Sequence, residues 1–180
     1  ALKDVPSLQL TILKDEVYTN EEMGENVRHI KIRFFSTTWF GVDIWNEADI
    51  YIPTTIPPER RGYGAMTHAD KYDYDGSQYS IYYGFGERTA LLADIPVMIC
   101  NCKIPAQSYG YQGETELARS FRTLMMDDGN VEREIAYPLT KIYIRALTAF
   151  STLDAAQKPT KFITAGSSKR GLTQWVLTAV

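Results

Sequence analysis

The feature that most constrains the fold is the last twenty residues, where an apolar run, a glycine-flanked turn and an amphipathic segment follow one another. The apolar run is Phe162 to Ala165, residues 166–171 read GSSKRG, and the amphipathic segment continues to Val180. Strand, sharp turn and helix are the layout of a nucleophile elbow, which lifts one hydroxyl above a sheet at a helix N-terminus. Glycines suit such a turn because side chains on either side of the serine would clash. The pattern predicts a buried central parallel strand at 162–165, followed by a helix at 171–180.

Within this turn, Ser168 is the candidate nucleophile and Ser167 the alternate. The backbone N–H of Lys169 would lie at the helix N-terminus, where it can donate to an oxyanion. The competing interpretation is that the two serines only cap the helix. The spacing is G-x-S-x-x-G, and in the order Ser…Asp/Glu…His the acid and the histidine would lie beyond Val180. The chain therefore holds half of such a catalytic site at most.

The rest of the chain predicts antiparallel strands first and alternating helices and strands later. Segments 29–35 and 49–53 alternate apolar and polar residues, which indicates a hairpin or meander. Segment 87–94 is typical of a helix and 97–102 of a buried strand. The spacing of apolar residues predicts helices at 114–126 and 132–153, with Pro138 in the first turn of the second. In the last helix we expect Trp175, with Leu172 or Val176, to pack against the sheet.

A sheet that is antiparallel at one edge and parallel toward the middle, with helices on its faces, is the first half of an α/β-hydrolase fold. We expect one domain over residues 1–180 that is incomplete and continues past 180. The strand at 162–165 needs neighbours, so we expect the remaining half of the fold, or another polypeptide chain, to cover an open edge or face.

Composition excludes two classes of partner. The net charge is −3 with the signs interspersed, which gives no electrostatic basis for binding nucleic acid. No apolar run approaches the roughly 20 residues of a membrane helix, so we expect no membrane span. The chain begins at Ala1 without a basic and apolar leader, as in a processed secreted protein or an excised domain.

Three further motifs favour structural interpretations. Cys100 and Cys102 would lie about 7 Å apart on one face of a strand, so we interpret them as buried core residues without a disulfide. The stretch 84–86 (GFG) lacks the third glycine of a dinucleotide loop, so it is interpreted as a backbone turn, with an oxyanion loop as the alternative. The stretch 73–76 (DYDG) resembles part of a calcium loop, but Lys71 and Tyr82 occupy the first and last ligand positions of that loop, which favours an acidic turn. We expect no cofactor or metal.

The two histidines have no metal or catalytic partner at a telling spacing. His68 lies in a polar segment and is interpreted as a solvent-facing turn residue, with an approach to the oxyanion side as the alternative. His29 begins a strand.

The segments PLTKIYIRAL (138–147) and PTKFITAGSSKRGLTQW (159–175) resemble the PhoPQ-activated pathogenicity-related (PqaA-type) family. Its characteristic stretch is P-M-x-K-x-x-x-R-A, then a strand and G-x-S-K-R-G-W-T-x-W. The matching residues are Pro138, Lys141, Arg145, Ala146, Gly166, Ser168, Lys169, Arg170, Gly171, Thr173 and Trp175, with Leu172 in place of the usual Trp. Segments 36–45 and 93–109 are also similar to the family. Its Gly-Gly-Gly-Ser-Asn oxyanion segment has two rival stand-ins here, 64–70 and 84–86.

The resemblance implies an α/β-hydrolase fold with Ser168 at the nucleophile position, in proteins that are typically exported and include secreted autocrine proliferation repressors. Three functions follow as hypotheses. The first is a serine hydrolase of esterase or peptidase type with a histidine base beyond Val180. The second is a non-catalytic secreted signalling or binding protein. The third is a structural subunit of a larger assembly, and fold alone does not choose among them.

Overall fold

The computed structural model describes residues 4–68, 81–102, 104, 125, 134–152, 158–166 and 168–179, with the backbone alone at 81–85, 168 and 169. The strands are β1 (Thr11–Thr19), β2 (Asn26–Trp39), β3 (Val42–Pro53), β4 (Tyr63–His68), β5 (Val97–Cys100) and β6 (Lys161–Thr164). The helices are α1 (Ile81–Ala93), α2 (Ala136–Phe150) and α3 (Ser168–Thr178), and short 3-10 turns lie at Pro6–Leu8 and Pro58–Arg60. The strands form one mixed sheet in the order β1-β2-β3-β5-β4-β6.

The antiparallel half of the sheet is built by β1, β2 and β3. The long hairpin of β2 and β3 turns at Phe40 and Gly41, whose φ angles are 47° and 77°. Two residues with positive φ make the tight turn that matches the twist of the flanking strands. The hairpin predicted from segments 29–35 and 49–53 is therefore confirmed, with longer strands than the sequence pattern covered.

The parallel half is built around β4, which pairs in parallel with β5 on one side and β6 on the other. Helix α1 packs on one face of the sheet, and α2 and α3 pack on the opposite face. The two faces bury separate apolar clusters. The larger one joins α2 to side chains of four strands, including Ile32, Phe34, Met66 and Met98. Helices on both faces of a mixed sheet confirm the predicted fold class.

Helix α2 is held to the sheet by a buried arginine. Pro138 lies in the first turn, as predicted, where its missing N–H costs no hydrogen bond. One turn from the other end, Arg145 is 2% exposed. Its Nη1 donates to the Asp4 carbonyl at 2.8 Å and its Nε to the Phe35 carbonyl at 3.3 Å. This side chain ties three separate parts of the chain together, because it joins α2 to β2 and to the N-terminal segment.

Two predictions about the C-terminal segment are wrong. The strand at 162–165 is β6, and within the described residues it is an edge strand that pairs only with β4. Helix α3 forms as expected, but it turns Thr173 and Gln174 inward. Three apolar side chains of α3 are exposed, and we call them the α3 surface: Leu172 (56%), Trp175 (79%) and Val176 (37%). They point away from α2 and the sheet, and no described element lies against them. Ile163 of β6 is 58% exposed on the other face of the sheet, where it pairs with Ala65.

Two stretches differ from their sequence interpretation. The GFG stretch is not a turn, because it lies inside α1. A Cβ on Gly86 would come within 2.7 Å of Ile99 Cγ1 on β5, so this glycine lets the helix approach the sheet closely. Strand β4 forms at Tyr63–His68, where no strand was predicted. The helix predicted at 114–126 lies outside the described residues except for Met125, which is helical but 82% exposed.

We expect Arg145→Met to lower the free energy of unfolding by about 1–3 kcal/mol, because the Phe35 and Asp4 carbonyls lose a charged donor. Chemical denaturation measures this loss. The exposed Arg60→Met on the 3-10 turn is the matched control and should change stability by less than about 0.5 kcal/mol. Equal effects of the two substitutions would show that Arg145 is not an anchor.

Candidate functional site

The parallel strands β4, β5 and β6 end side by side, and we call the residues at and just after their C-terminal ends the carboxyl edge. The connection from β4 to β5 runs through α1 on one face, and the connection from β5 to β6 includes α2 on the other face. The two connections therefore leave the carboxyl edge toward opposite faces of the sheet. Open α/β sheets bind ligands in the crevice at such a switch point. This makes the carboxyl edge the candidate site.

The turn between β6 and α3 is as tight as the sequence pattern requires. Ala165 continues the pairing of β6, since its N–H donates to the Met66 carbonyl at 2.9 Å. A Cβ on Gly166 would lie 2.8 Å from the carbonyl oxygen of Arg170 and 3.1 Å from the nitrogen of Gly171. Backbone atoms cannot give way as a flexible side chain can. Only glycine therefore fits at 166 beneath the first turn of α3.

The candidate nucleophile lies where the turn meets the helix. Ser168 is the first residue of α3 and Lys169 the second. The first four N–H groups of a helix have no acceptor within it, and they point toward any ligand at the helix N-terminus. Ser167, the alternate nucleophile, lies outside the described residues. The competing interpretations of Ser168, nucleophile or helix cap, both remain predictions.

A buried amide fixes the segment that follows β5. Ser36 Oγ donates to Asn46 Oδ1 at 2.6 Å, and Asn46 Nδ2 donates to the Asn101 carbonyl at 2.6 Å. The Asn101 N–H in turn donates to the Glu47 carbonyl at 2.8 Å. Ser36 and Asn46 are 3% and 2% exposed, so these bonds are formed away from water. The carboxyl edge is thereby tied to the β2–β3 hairpin.

Thiol and phenol groups fill the space behind the carboxyl edge. Cys100 and Cys102 are buried and free, which confirms that they are core residues without a disulfide. A hydrogen bond with Cys102, together with burial, raises the pKa of the Cys100 thiol well above its usual value. Burial, with Cys102 nearby, likewise raises the pKa of the Tyr143 hydroxyl on α2. Cys100 and Tyr143 therefore stay protonated at neutral pH.

Arg170 connects α3 to the same segment. Its Nη2 donates to the Cys102 carbonyl at 3.5 Å. A cation in the first turn of a helix gains nothing from the helix dipole, so its place is set by this side-chain contact.

The two histidines lie on opposite faces of the sheet. His68 ends β4 in register with Cys100 and is 1% exposed, so the solvent-facing interpretation is wrong. It is buried because β4 is an inner strand whose last residue faces α2. His29 pairs with Asp49 at 2.7 Å from Nε2 to Oδ1 and stacks on Tyr51, on the face that α1 covers. Sequence reasoning missed this pair, because only the strand register brings residues 29 and 49 together.

Several expectations fall on residues that the structure does not describe. These are the acidic stretch 73–76, the residues directly after His68, and most of 93–109 beyond residue 102. Within the described residues no group of three or more His, Cys, Asp or Glu side chains could hold a metal ion. No described helix is both long and apolar enough to cross a membrane.

The sheet order and the tight turn at the carboxyl edge define a protein class, the α/β-hydrolase fold. A CE15 glucuronoyl esterase from Teredinibacter turnerae T7901 shares this fold with a TM-score of 0.57 and 10% sequence identity, over 97% of this chain and 43% of that one. A promiscuous CE15 esterase from a marine bacterial metagenome shares it with a TM-score of 0.55 and 13% identity, over 96% of this chain and 49% of that one. The chain thus spans less than half the length of either structure.

Residues 11–180 match the model of the PhoPQ-activated pathogenicity-related protein family, and the chain belongs to that family. The resemblance found in segments 138–147 and 159–175 is therefore confirmed. No individually curated protein has a sequence that matches the chain.

We expect Gly166→Ala to lower the free energy of unfolding by about 1–3 kcal/mol, because the new methyl overlaps the backbone of α3. Urea denaturation measures the change. Ala165→Ser, at the exposed neighbouring residue, is the control and should stay within about 0.5 kcal/mol. A Gly166→Ala protein as stable as this control would contradict the tight turn.

Proposed function

We propose that the chain carries the nucleophile half of a serine hydrolase of esterase or peptidase type, with Ser168 as the nucleophile. The observation that carries the proposal is the turn at Gly166, which leads from the carboxyl edge directly into a helix that begins at Ser168. In this mechanism Ser168 Oγ bonds to the substrate carbonyl carbon as its proton passes to a histidine base. The carbonyl oxygen becomes an oxyanion, and the Lys169 N–H donates to it.

The second oxyanion donor has two rival stand-ins. One, 84–86, lies inside α1, where helical hydrogen bonding occupies the backbone. Of the other, 64–70, residues 64–68 belong to β4, which ends at the carboxyl edge. This favours 64–70 over 84–86 as the source of the second N–H.

The catalytic acid and base are assigned to residues beyond Val180. His29 and Asp49 bond to each other, but they lie on the α1 face, and their side of the sheet is not the one that α3 covers. His68 is buried behind the carboxyl edge. The chain order Ser…Asp/Glu…His, in which both partners follow the nucleophile, supports the same assignment.

The domain is proposed to extend past residue 180, with further strands or another polypeptide chain covering β6 and the α3 surface. Large apolar side chains seldom gather on a surface that faces water, and Trp175 alone is 79% exposed. The matching esterase structures are more than twice as long as this chain, which supports the same proposal. We also propose that the protein works outside the cytoplasm, as the family resemblance implies.

In the protein extended past Val180, a fluorophosphonate probe should label Ser168, because its hydroxyl would be activated and open to a ligand. Ser168→Ala should abolish labelling and leave the melting temperature nearly unchanged. Ser167→Ala is the matched control and should keep labelling. Mass spectrometry of the adduct identifies the residue.

If the serines are caps only, no labelling occurs and Ser168→Ala costs about 1 kcal/mol of stability. That result, in a well-folded protein, would favour the secreted signalling or structural function instead.

Trp175→Ser tests the proposed cover of the α3 surface. In the 180-residue chain it should change the free energy of unfolding by less than about 0.5 kcal/mol, because Trp175 is exposed there. In the extended protein it should cost about 2–4 kcal/mol, since a buried Trp side chain is lost. Leu92→Ser on α1, also exposed, is the control and should have a small effect in both. An equal, small effect of Trp175→Ser in both proteins would refute the cover.

A further inference from the structure

Strand β1 forms the other edge of the sheet and is open to solvent along almost its whole length. Of its nine residues only Tyr18 is partly buried. Three apolar side chains on or beside the open edge are exposed: Ile12 (53%), Leu13 (48%) and Val17 (61%). An exposed edge strand offers backbone N–H and C=O groups to a further strand. This edge therefore has both the polar and the apolar groups that strand pairing requires.

We propose that two copies of this chain associate through β1, antiparallel to each other, about a two-fold axis at Asp15. The strand reads TILKDEVYT. In an antiparallel pair centred on Asp15, Lys14 lies opposite Glu16 of the second copy, and the bulged Leu13 lies near Val17 of that copy. Directly opposite residues share a face of the sheet, so each pair can make contact. A two-fold pairing of this kind gives a closed dimer.

The charges select this register over its neighbours. Centring the pair on Glu16 places two Glu16 carboxylates opposite each other and moves Lys14 opposite Tyr18. Centring it on Lys14 places the two Lys14 ammonium groups opposite each other. Lys14 Nζ already lies 2.6 Å from Glu16 Oε1 of its own chain. Of these three registers, only the Asp15-centred one also places a glutamate of the second copy beside each lysine and an apolar side chain beside each Val17. Like charges directly opposite are destabilising, so the alternatives are weaker.

The one like-charge contact in the Asp15 register is already compensated within each chain. Asp15 would lie opposite Asp15 of the second copy. Arg28 on β2 binds Asp15 with two hydrogen bonds, Nε to Oδ1 at 2.8 Å and Nη2 to Oδ2 at 2.7 Å. The bond from Arg28 also holds the pKa of the Asp15 carboxyl below its usual value. Each arginine neutralises its own aspartate, so the pair at the axis carries little net charge.

The strength of the dimer is limited by the shape of β1. Its pairing with β2 shifts register between Ile12 and Lys14, and such a bulge twists an edge. The regular backbone ladder across the axis is therefore short, with Leu13 and Val17 adding apolar contact at its ends. Interfaces this small bind weakly. We expect a dimer with micromolar affinity.

Sedimentation velocity over a range of protein concentrations, from low to high micromolar, tests the proposal by charge reversal. The unmodified chain should dimerise as its concentration rises. Lys14→Glu alone and Glu16→Lys alone should each lower the association constant at least tenfold, because like charges then face each other. The double change Lys14→Glu/Glu16→Lys should restore the dimer. An equal mixture of the two single variants should also associate.

Glu59→Lys, an exposed change away from β1, is the matched control and should leave the dimer unaffected. All these sites are exposed, and circular dichroism should show that each variant is folded. A chain that stays monomeric at every concentration would overturn the proposal. So would a dimer that persists in both single variants, since that indicates association through the α3 surface or another face. A double variant that fails to dimerise would overturn the Asp15 register.

Discussion

The parallel pairing of β4 with strands on both of its sides is the constraint on which the rest of the structure depends. Backbone hydrogen bonds join β4 to β5 from Ala65 to His68 and to β6 from Tyr63 to Met66. A strand bonded on both sides fixes its neighbours in register, so the C-terminal ends of all three strands meet along one edge. The crossovers must then leave in opposite directions, and the crevice between them is where a ligand can enter. The candidate site is a consequence of this backbone pairing.

Polar contacts of individual side chains hold the elements around the candidate site in place. Asn46 fixes the segment after β5 to the β2–β3 hairpin, and Arg170 joins α3 to the same segment. Arg145 holds α2 against β2. Buried hydrogen bonds of this kind are costly to break, because the groups left behind lack water. Three of the residues that match the family's characteristic stretch thus have distinct physical roles. Arg145 and Arg170 anchor their helices, and Gly166 leaves space for the tight turn before α3.

Local sequence patterns predicted the elements whose own residues determine them. The alternation in β2 and β3, the position of Pro138 in α2 and the glycine turn before α3 were all correct. Strand β4 was missed, because its YGAMTH sequence has no apolar run and its stability comes from neighbours on both sides. The prediction that β6 and Trp175 are buried was wrong for a related reason. An apolar pattern indicates that an element favours burial, while its actual exposure depends on which elements lie beside it. Contacts across strands, such as His29 with Asp49, leave no local pattern at all.

The central claim of this account is that Ser168 is a nucleophile presented at the carboxyl edge. A crystal structure of the extended protein after reaction with a fluorophosphonate tests it most directly. The account predicts phosphorus bonded to Ser168 Oγ, with the phosphonyl oxygen about 2.7–3.1 Å from the Lys169 backbone nitrogen. A phosphonate on Ser167 or elsewhere, or a free Ser168 hydroxyl that caps α3 by accepting a backbone N–H, would contradict it.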